Sequence, residues 1–172
     1  PVDGPGTALF TVTGAVDRPG VYEVPHGTLL WDLLVRAGAP PREEILAVLP
    51  GGLGSGPLRP DELDVPLTYE DLAALGTTMG NSAVIVFRRA DAALPALVRE
   101  NVALLARGSC GQCRGCREGH EGLLRALEAG DATEARRRAE VLLYGRGNCA
   151  FPTGTARFAL RALQEFPAFA RP

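Results

Sequence analysis

Apolar and polar residues alternate in several short stretches of the first half of the chain. Residues 8–13 and 21–24 alternate in this way and are rich in residue types that suit a half-buried strand. Residues 17–20 lie between them and contain a proline followed by a glycine, so the pattern predicts a hairpin. Two further apolar stretches, 45–49 and 83–87, predict buried strands. The first half therefore predicts a small sheet.

A helical spacing of three and four residues replaces this alternation at two places in the first half. Residues 28–37 predict a helix that Thr28 caps. The apolar face of this helix comprises Leu30, Leu33 and Leu34. Residues 68–75 predict a shorter helix, with Thr68 opening a variant of the capping box. Strands that surround helices predict an α+β domain over residues 1–89.

The composition changes after this point to alanine, leucine, arginine and glutamate at helical spacing. The predicted helices cover residues 94–105, 123–129, 132–143 and a last segment from about residue 155. A second domain over residues 90–172 is therefore predicted to be a small all-α bundle. It contains every cysteine of the chain.

The charged residues restrict the classes of function. A net charge of −2, with both signs interspersed, gives no basic face for a phosphate backbone, so we expect no nucleic acid partner. All 18 residues counted as lysine or arginine are arginine, which excludes lysine chemistry on this chain. No Ser-His-Asp or Cys-His arrangement indicates hydrolysis, and His26 and His120 are interpreted as ordinary polar positions.

The hydrophobic segments predict neither membrane insertion nor secretion. No apolar run reaches the length of a membrane span, and the first residues lack the basic-then-apolar order of a signal peptide. We therefore expect a cytoplasmic location.

A glycine-rich stretch at residues 50–57 superficially resembles a dinucleotide-binding fingerprint. Pro57-Leu58-Arg59-Pro60 follows it, in place of the helix whose N-terminus would hold a pyrophosphate. The sequence does not favour nucleotide binding at this loop.

The four cysteines form the strongest chemical signal. Cys110, Cys113 and Cys116 recur every three residues with small residues among them, so one curl of backbone can bring three thiolates together. A cubane cluster needs three ligands from such a curl and a fourth from elsewhere, and Cys149 is the remaining cysteine. The sequence therefore predicts one 4Fe-4S cluster ligated by all four.

Two other uses of the same residues stay open. A four-cysteine zinc site is one, although such sites commonly pair one C-x-x-C with a second, and here the division is three and one. Two structural disulfides are the other, although nothing marks the chain as secreted.

Both halves of the chain resemble a known family. The motif Ser-Cys-Gly-Gln-Cys-x-x-Cys-Arg-Glu-Gly at 109–119 and the distal pair 149–150 resemble the C-terminal iron-sulfur domain of the NADH-binding flavoprotein subunit of respiratory complex I. Relatives in NAD-linked hydrogenases and formate dehydrogenases share this pattern. Residues 12–25, 50–52 and 64–67 are similar to the soluble-ligand-binding beta-grasp (SLBB) domain that precedes the cluster domain in those subunits.

The resemblance implies an electron-transfer module that relays single electrons between a flavin-containing partner and other clusters. Its partners would be flavoprotein or iron-sulfur subunits of a respiratory or hydrogenase-type complex. Ser109, Gly111 and Gln112 are expected to shape the pocket around the cluster. Nothing in the chain corresponds to the family's glycine-rich FMN and NADH sites, so we expect no FMN, no NAD and no hydride transfer here.

A second hypothesis belongs to a different class of function. The beta-grasp domain would bind a ligand or a partner protein, and the cluster would only hold the helices together. The chain would then be a binding or assembly module.

Overall fold

A computed structural model describes residues 6–91, 93–145 and 147–166, and only the backbone of Leu94 and Leu142. The chain divides into two compact units, Pro1–Ala92 and Ala93–Pro172. The boundary predicted after residue 89 lies shortly before this division. The first unit is built on a sheet and the second on helices, so the α+β class is confirmed.

The first unit has a four-stranded mixed sheet in the order β2-β1-β4-β3. Its strands are β1 (Thr7–Gly14), β2 (Gly20–Pro25), β3 (Ile45–Leu49) and β4 (Ala83–Arg88). The outer pairs are antiparallel, and the central pair β1 and β4 is parallel. A hairpin followed by a helix and a parallel central pair is the arrangement expected of a beta-grasp domain.

The helices of the first unit are α1 (Leu30–Arg36) and α2 (Tyr69–Ala74), with short 3-10 turns at Arg42–Glu44 and Pro60–Glu62. The alternating strand residues and the apolar face of α1 form one core. This core includes Phe10, Val12, Val24, Leu30, Leu33, Leu34, Val84 and Val86. The sheet thus buries one face against α1, as the periodicity predicts.

The two predicted helix caps have different outcomes. The Thr68 hydroxyl oxygen accepts a hydrogen bond from the Asp71 amide at 3.1 Å, so the predicted cap of α2 is confirmed. The prediction for Thr28 is wrong, because α1 is preceded by Leu29 in an extended conformation without a side-chain cap. The Thr28 hydroxyl instead donates to the Pro25 carbonyl at 2.7 Å and closes the turn after β2.

The glycines of the 50–57 loop have a packing role. A Cβ on Gly51 would collide with the backbone of Thr78 and Met79, and one on Gly80 would collide with the Gly51 carbonyl. The buried Ser55 hydroxyl closes the loop by accepting from the Gly51 amide at 3.1 Å and donating to the Gly52 carbonyl at 2.7 Å. Close approach of two backbone segments therefore accounts for the glycines at positions 51 and 80.

The second unit contains α3 (Leu94–Gly108), α4 (His120–Glu128), α5 (Ala132–Arg138) and α6 (Phe151–Glu165). There are also two π-helical segments. Gly115–Gly119 continues directly into α4, and Ala139–Leu143 directly follows α5. These two segments pack against each other, and α6 packs against both. The buried apolar side chains of the bundle include Val98, Val102, Leu123, Ala135, Leu143, Phe158 and Ala159.

The start of α6 differs from the sequence prediction. The helix begins at Phe151, four residues before the predicted start at about residue 155, and Pro152 lies in its first turn. Proline suits this position, because the first amides of a helix have no partner within the helix. Cys149 therefore lies almost directly before the helix.

The described residues contain no helix that is long and apolar enough to cross a membrane.

Candidate functional site

The cysteines of the second unit lie on two segments that differ in exposure. Cys110 and Cys149 are exposed, Cys113 is half-buried, and Cys116 is buried. None of the four is in a disulfide. The two-disulfide alternative therefore does not describe this structure, and all four sulfurs are available as ligands.

The end of α3 and a left-handed glycine produce the curl that carries three of the cysteines. Ser109 follows α3 in an extended conformation, and Gly111 has a φ of +67°. Residues other than glycine rarely adopt this conformation, so Gly111 lets the chain reverse directly after Cys110. The Arg117 amide then donates to the Cys113 carbonyl at 3.1 Å, and the chain becomes helical again. One short turn therefore separates Cys113 from Cys116.

The amide groups around Cys113 connect the two cysteine segments. The backbone amides of Cys116 and Asn148 donate hydrogen bonds to the Cys113 sulfur and lower the pKa of this thiol. The amide of Cys116 has the larger effect. Asn148 directly precedes Cys149 in the chain. The structure therefore brings the loop of the distal cysteine to the three-cysteine curl.

The electrostatics of Cys116 lead to the same conclusion. Its pKa is raised to about 11, mainly by burial, then by its side-chain hydrogen bond and charge interaction with Cys113, and then by the charges of Cys110 and Cys149. All four sulfurs therefore lie within electrostatic reach of Cys116. A raised pKa keeps the Cys116 thiol protonated, so a bound cation would be needed to hold it as a thiolate ligand.

Among the described residues, no group of three or more His, Cys, Asp or Glu side chains is arranged to hold a metal ion. A tetrahedral zinc with Zn–S bonds of about 2.3 Å requires sulfurs only about 3.8 Å apart. A cubane cluster makes no such demand, because each thiolate binds a different iron atom. The donor set of four cysteines is compatible with a cluster, and the assignment of the four ligands stays a prediction.

His120 has the sequence pattern of an ordinary polar position, and the structure gives it a specific setting. The side chain is buried, with Nδ1 3.2 Å from the Cys116 carbonyl oxygen and Nε2 2.8 Å from the Thr155 hydroxyl. Burial lowers the pKa of His120. Its position four residues after Cys116, on the same face of a helix, was the available sequence signal.

The three residues expected to shape the pocket lie on the curl itself. Ser109 and Gly111 are half-buried and Gln112 is exposed. Gly111 has the conformational role given above, whereas a role for Ser109 and Gln112 beside a cluster stays a prediction.

Comparison with known proteins assigns both units. Residues 96–171 match the family model of the NADH-ubiquinone oxidoreductase-F iron-sulfur binding region, and residues 9–47 match the model of the SLBB domain. The first of these matches includes all four cysteines.

The curated relatives extend the match over nearly the whole chain. An F-type subunit of the NADH-quinone oxidoreductase of Rhizobium meliloti (strain 1021) is 33% identical over 177 residues, covering 98% of this chain and 42% of the relative. The F-type subunit of the NADH-quinone oxidoreductase of Escherichia coli (strain K12) is 30% identical over 171 residues, covering 94% of this chain and 38% of the relative. The chain thus spans about two fifths of the length of these relatives.

A solved structure shares the fold. The crystal structure of an NAD+-reducing NiFe hydrogenase in the H2-reduced state superimposes with a TM-score of 0.78 at 29% identity, covering 99% of this chain and 30% of that chain. The chain therefore contains an SLBB domain followed by an iron-sulfur binding region of the NADH-ubiquinone oxidoreductase-F type, and it resembles the corresponding part of the F-type subunits of NADH-quinone oxidoreductase.

Proposed function

We propose that this chain is an electron-transfer module in which Cys110, Cys113, Cys116 and Cys149 hold one 4Fe-4S cluster. It would relay single electrons between a flavin-containing partner and other clusters. The observation that carries the proposal is the approach of the two cysteine segments, in which the Asn148 amide donates to the Cys113 sulfur. The match of residues 96–171 to an iron-sulfur binding region supports it independently.

The chain's own residues suit both holding and exchanging electrons. When bound, the cluster would take up and release one electron at a time. The amides of Cys116 and Asn148 stabilise negative charge on the Cys113 sulfur, which favours the reduced state. Cys116 is buried and Cys110 and Cys149 are exposed, so one side of the site is shielded from water while the other is open to a partner.

The relatives indicate what the partners would be. Their names describe subunits of NADH-quinone oxidoreductase and an NAD+-reducing hydrogenase. We infer that this chain works within a complex of that kind, beside flavoprotein or other iron-sulfur subunits.

The test is anaerobic purification with iron and sulfide analysis, followed by electron paramagnetic resonance of the reduced chain. We expect about four iron and four sulfide per chain and a signal from one reduced cluster. Cys149→Ala should abolish the intact signal. Asn148→Ala is the matched control, because it changes an exposed side chain in the same loop and keeps the backbone amide.

Three results would contradict the proposal. An unchanged spectrum of Cys149→Ala would show that another group is the fourth ligand. Tightly bound zinc in air-free material would assign the site to a single ion. A cluster that resists reduction, or decomposes when reduced, would favour the structural role in a binding or assembly module.

A further inference from the structure

His120 forms a buried polar connection inside the second unit. A carbonyl oxygen only accepts hydrogen bonds, so Nδ1 must carry the proton that it shares with the Cys116 carbonyl at 3.2 Å. The neutral ring then has a lone pair at Nε2, 2.8 Å from the Thr155 hydroxyl oxygen. The hydroxyl proton is donated to Nε2, because the other acceptor in reach, the Phe151 carbonyl oxygen, is farther away at 3.4 Å. One uncharged tautomer therefore satisfies both ring nitrogens.

The two partners of His120 belong to the two cysteine segments. Cys116 is the last cysteine of the curl, and Thr155 lies on α6, which begins at Phe151 directly after the loop of Cys149. The Phe151 ring also contacts the His120 ring, with centroids 5.9 Å apart. The imidazole thus bridges the backbone of one predicted ligand, Cys116, and the helix that directly follows the loop of the other, Cys149.

The contacts of Phe151 reinforce this bridge. A Cβ on Gly108, at the end of α3, would lie 3.9 Å from the Phe151 ring, so the ring also lies beside the residue from which the curl starts. The N-terminal turn of α6 is therefore fixed against both ends of the curl. The described side-chain hydrogen bond from α6 to the residues that follow the curl is the one between Thr155 and His120.

We propose that His120 and Thr155 are a positioning pair that holds the distal cysteine in register with the three-cysteine curl. The inference rests on the cluster proposed above, and it assigns roles to two residues outside the cysteine set. Neither residue needs to touch the cluster. Their effect is to fix where the chain presents the Cys149 sulfur relative to the Cys116 sulfur.

The physical argument depends on burial. Breaking a hydrogen bond while one partner stays buried leaves a polar group unsatisfied, which is more costly than losing an exposed hydrogen bond. Thr155→Val removes the hydroxyl with almost no change in shape, so it leaves Nε2 of the buried His120 without a donor. Thr155→Ser keeps the hydroxyl and should preserve the connection.

The experiment compares cluster loss in the full chain, prepared anaerobically. Wild type, Thr155→Val and Thr155→Ser are mixed with an iron chelator, and the decay of the cluster absorbance is followed. Thr133→Val is the matched control, because Thr133 is exposed on α5. All four are measured at a temperature at which circular dichroism shows that each cluster-free chain is fully folded, so a general loss of stability does not contribute.

We expect Thr155→Val to lose its cluster on the order of tenfold faster than wild type. Thr155→Ser and Thr133→Val should stay close to wild type, and the resonance of the reduced cluster should change in Thr155→Val alone. If Thr155→Val does not fold, His120→Asn replaces it, because its amide can still donate to the Cys116 carbonyl while the contact with Thr155 is lost.

Equal rates for Thr155→Val and Thr155→Ser in folded chains would overturn the positioning role. A wild-type chain without iron and sulfide would instead refute the proposed function, and the positioning role with it. The two failures are therefore distinguished by the wild-type measurement.

Discussion

The loop before Cys149 offers a direct way to displace the predicted fourth ligand without changing it. A Cβ on Gly147 would overlap the Pro152 ring and lie only 2.8 Å from the Cys149 carbonyl oxygen and from Cδ of Pro152. Favourable contacts between such atoms begin near 3.5 Å, and the new Cβ would lie 2.2 Å from Cγ of Pro152, so Gly147→Ala requires a shift of about 1.3 Å. The proline ring is rigid and lies in the first turn of α6, so the loop has to move instead.

The cost of this shift depends on whether the cluster is bound. In the cluster-free chain the loop relaxes, and the free energy of unfolding changes little. A bound cluster would fix the Cys149 sulfur, so the loop could not relax. The overpacking should then destabilise the cluster-bound chain by about 1–3 kcal/mol. The affinity for the cluster should then fall by about 5- to 150-fold.

The assay is the iron content after anaerobic reconstitution with limiting iron and sulfide. Gly145→Ala is the control from the same loop, because its added Cβ meets no atom within 4 Å. Gly145 has a φ of +66°, so alanine costs about 1 kcal/mol there, in the loaded and cluster-free chain alike. Equal iron content in Gly147→Ala and Gly145→Ala would refute the claim that the position of this loop controls cluster binding.

Two further predictions concern the fold of each unit. Gly14→Ala should lower the urea-derived free energy of unfolding by about 2–4 kcal/mol, because φ is +90° and the new Cβ would collide with the backbone of β4. Gly20→Ala, whose nearest atom would lie 4.0 Å away, should have little effect, and equal losses would contradict the argument. Glu134 has its pKa lowered from an ordinary value of 4.5 to about 2 by hydrogen bonds from Arg137 and Arg138. Glu134→Gln should therefore lower the unfolding temperature at pH 7, and its difference from wild type should shrink as the pH falls from about 4.5 towards 2; a pH-independent difference would contradict this.

Alternation of apolar residues located β1 and β2, and continuous apolar stretches located β3 and β4. Phe10 and Val12 are fully buried, whereas Leu9 on the opposite face of β1 is 63% exposed. Successive side chains of a strand point to opposite faces of the sheet, so this contrast in burial appears in the sequence as an alternation of period two. The parallel pairing of β1 with β4 joins residues about seventy positions apart, so alternation within each strand carries no information about it.

Helix ends were harder to locate, for a local reason. Threonine is common at helix starts, but the Thr28 hydroxyl donates a hydrogen bond to the Pro25 carbonyl in the preceding turn. Pro152 fits the pattern of a loop, yet proline is as compatible with the first helical turn as with a loop. In both cases one residue type suits two neighbouring positions, and only the tertiary structure selects between them.

The surroundings of the cysteines show what sequence spacing does and does not determine. A repeat of three residues is a local property, so the curl with Cys110, Cys113 and Cys116 could be predicted from the chain alone. The approach of Asn148 depends instead on how α4, α5 and α6 pack, and on two π-helical segments that interrupt the regular helical period. One of these segments contains Cys116, and the other lies shortly before the Cys149 loop. The packing of the two π-helical segments therefore determines how far apart the two cysteine segments lie. His120 directly follows the first π-helical segment and forms a hydrogen bond with α6. A polar residue that belongs to no sequence motif therefore contributes to this packing.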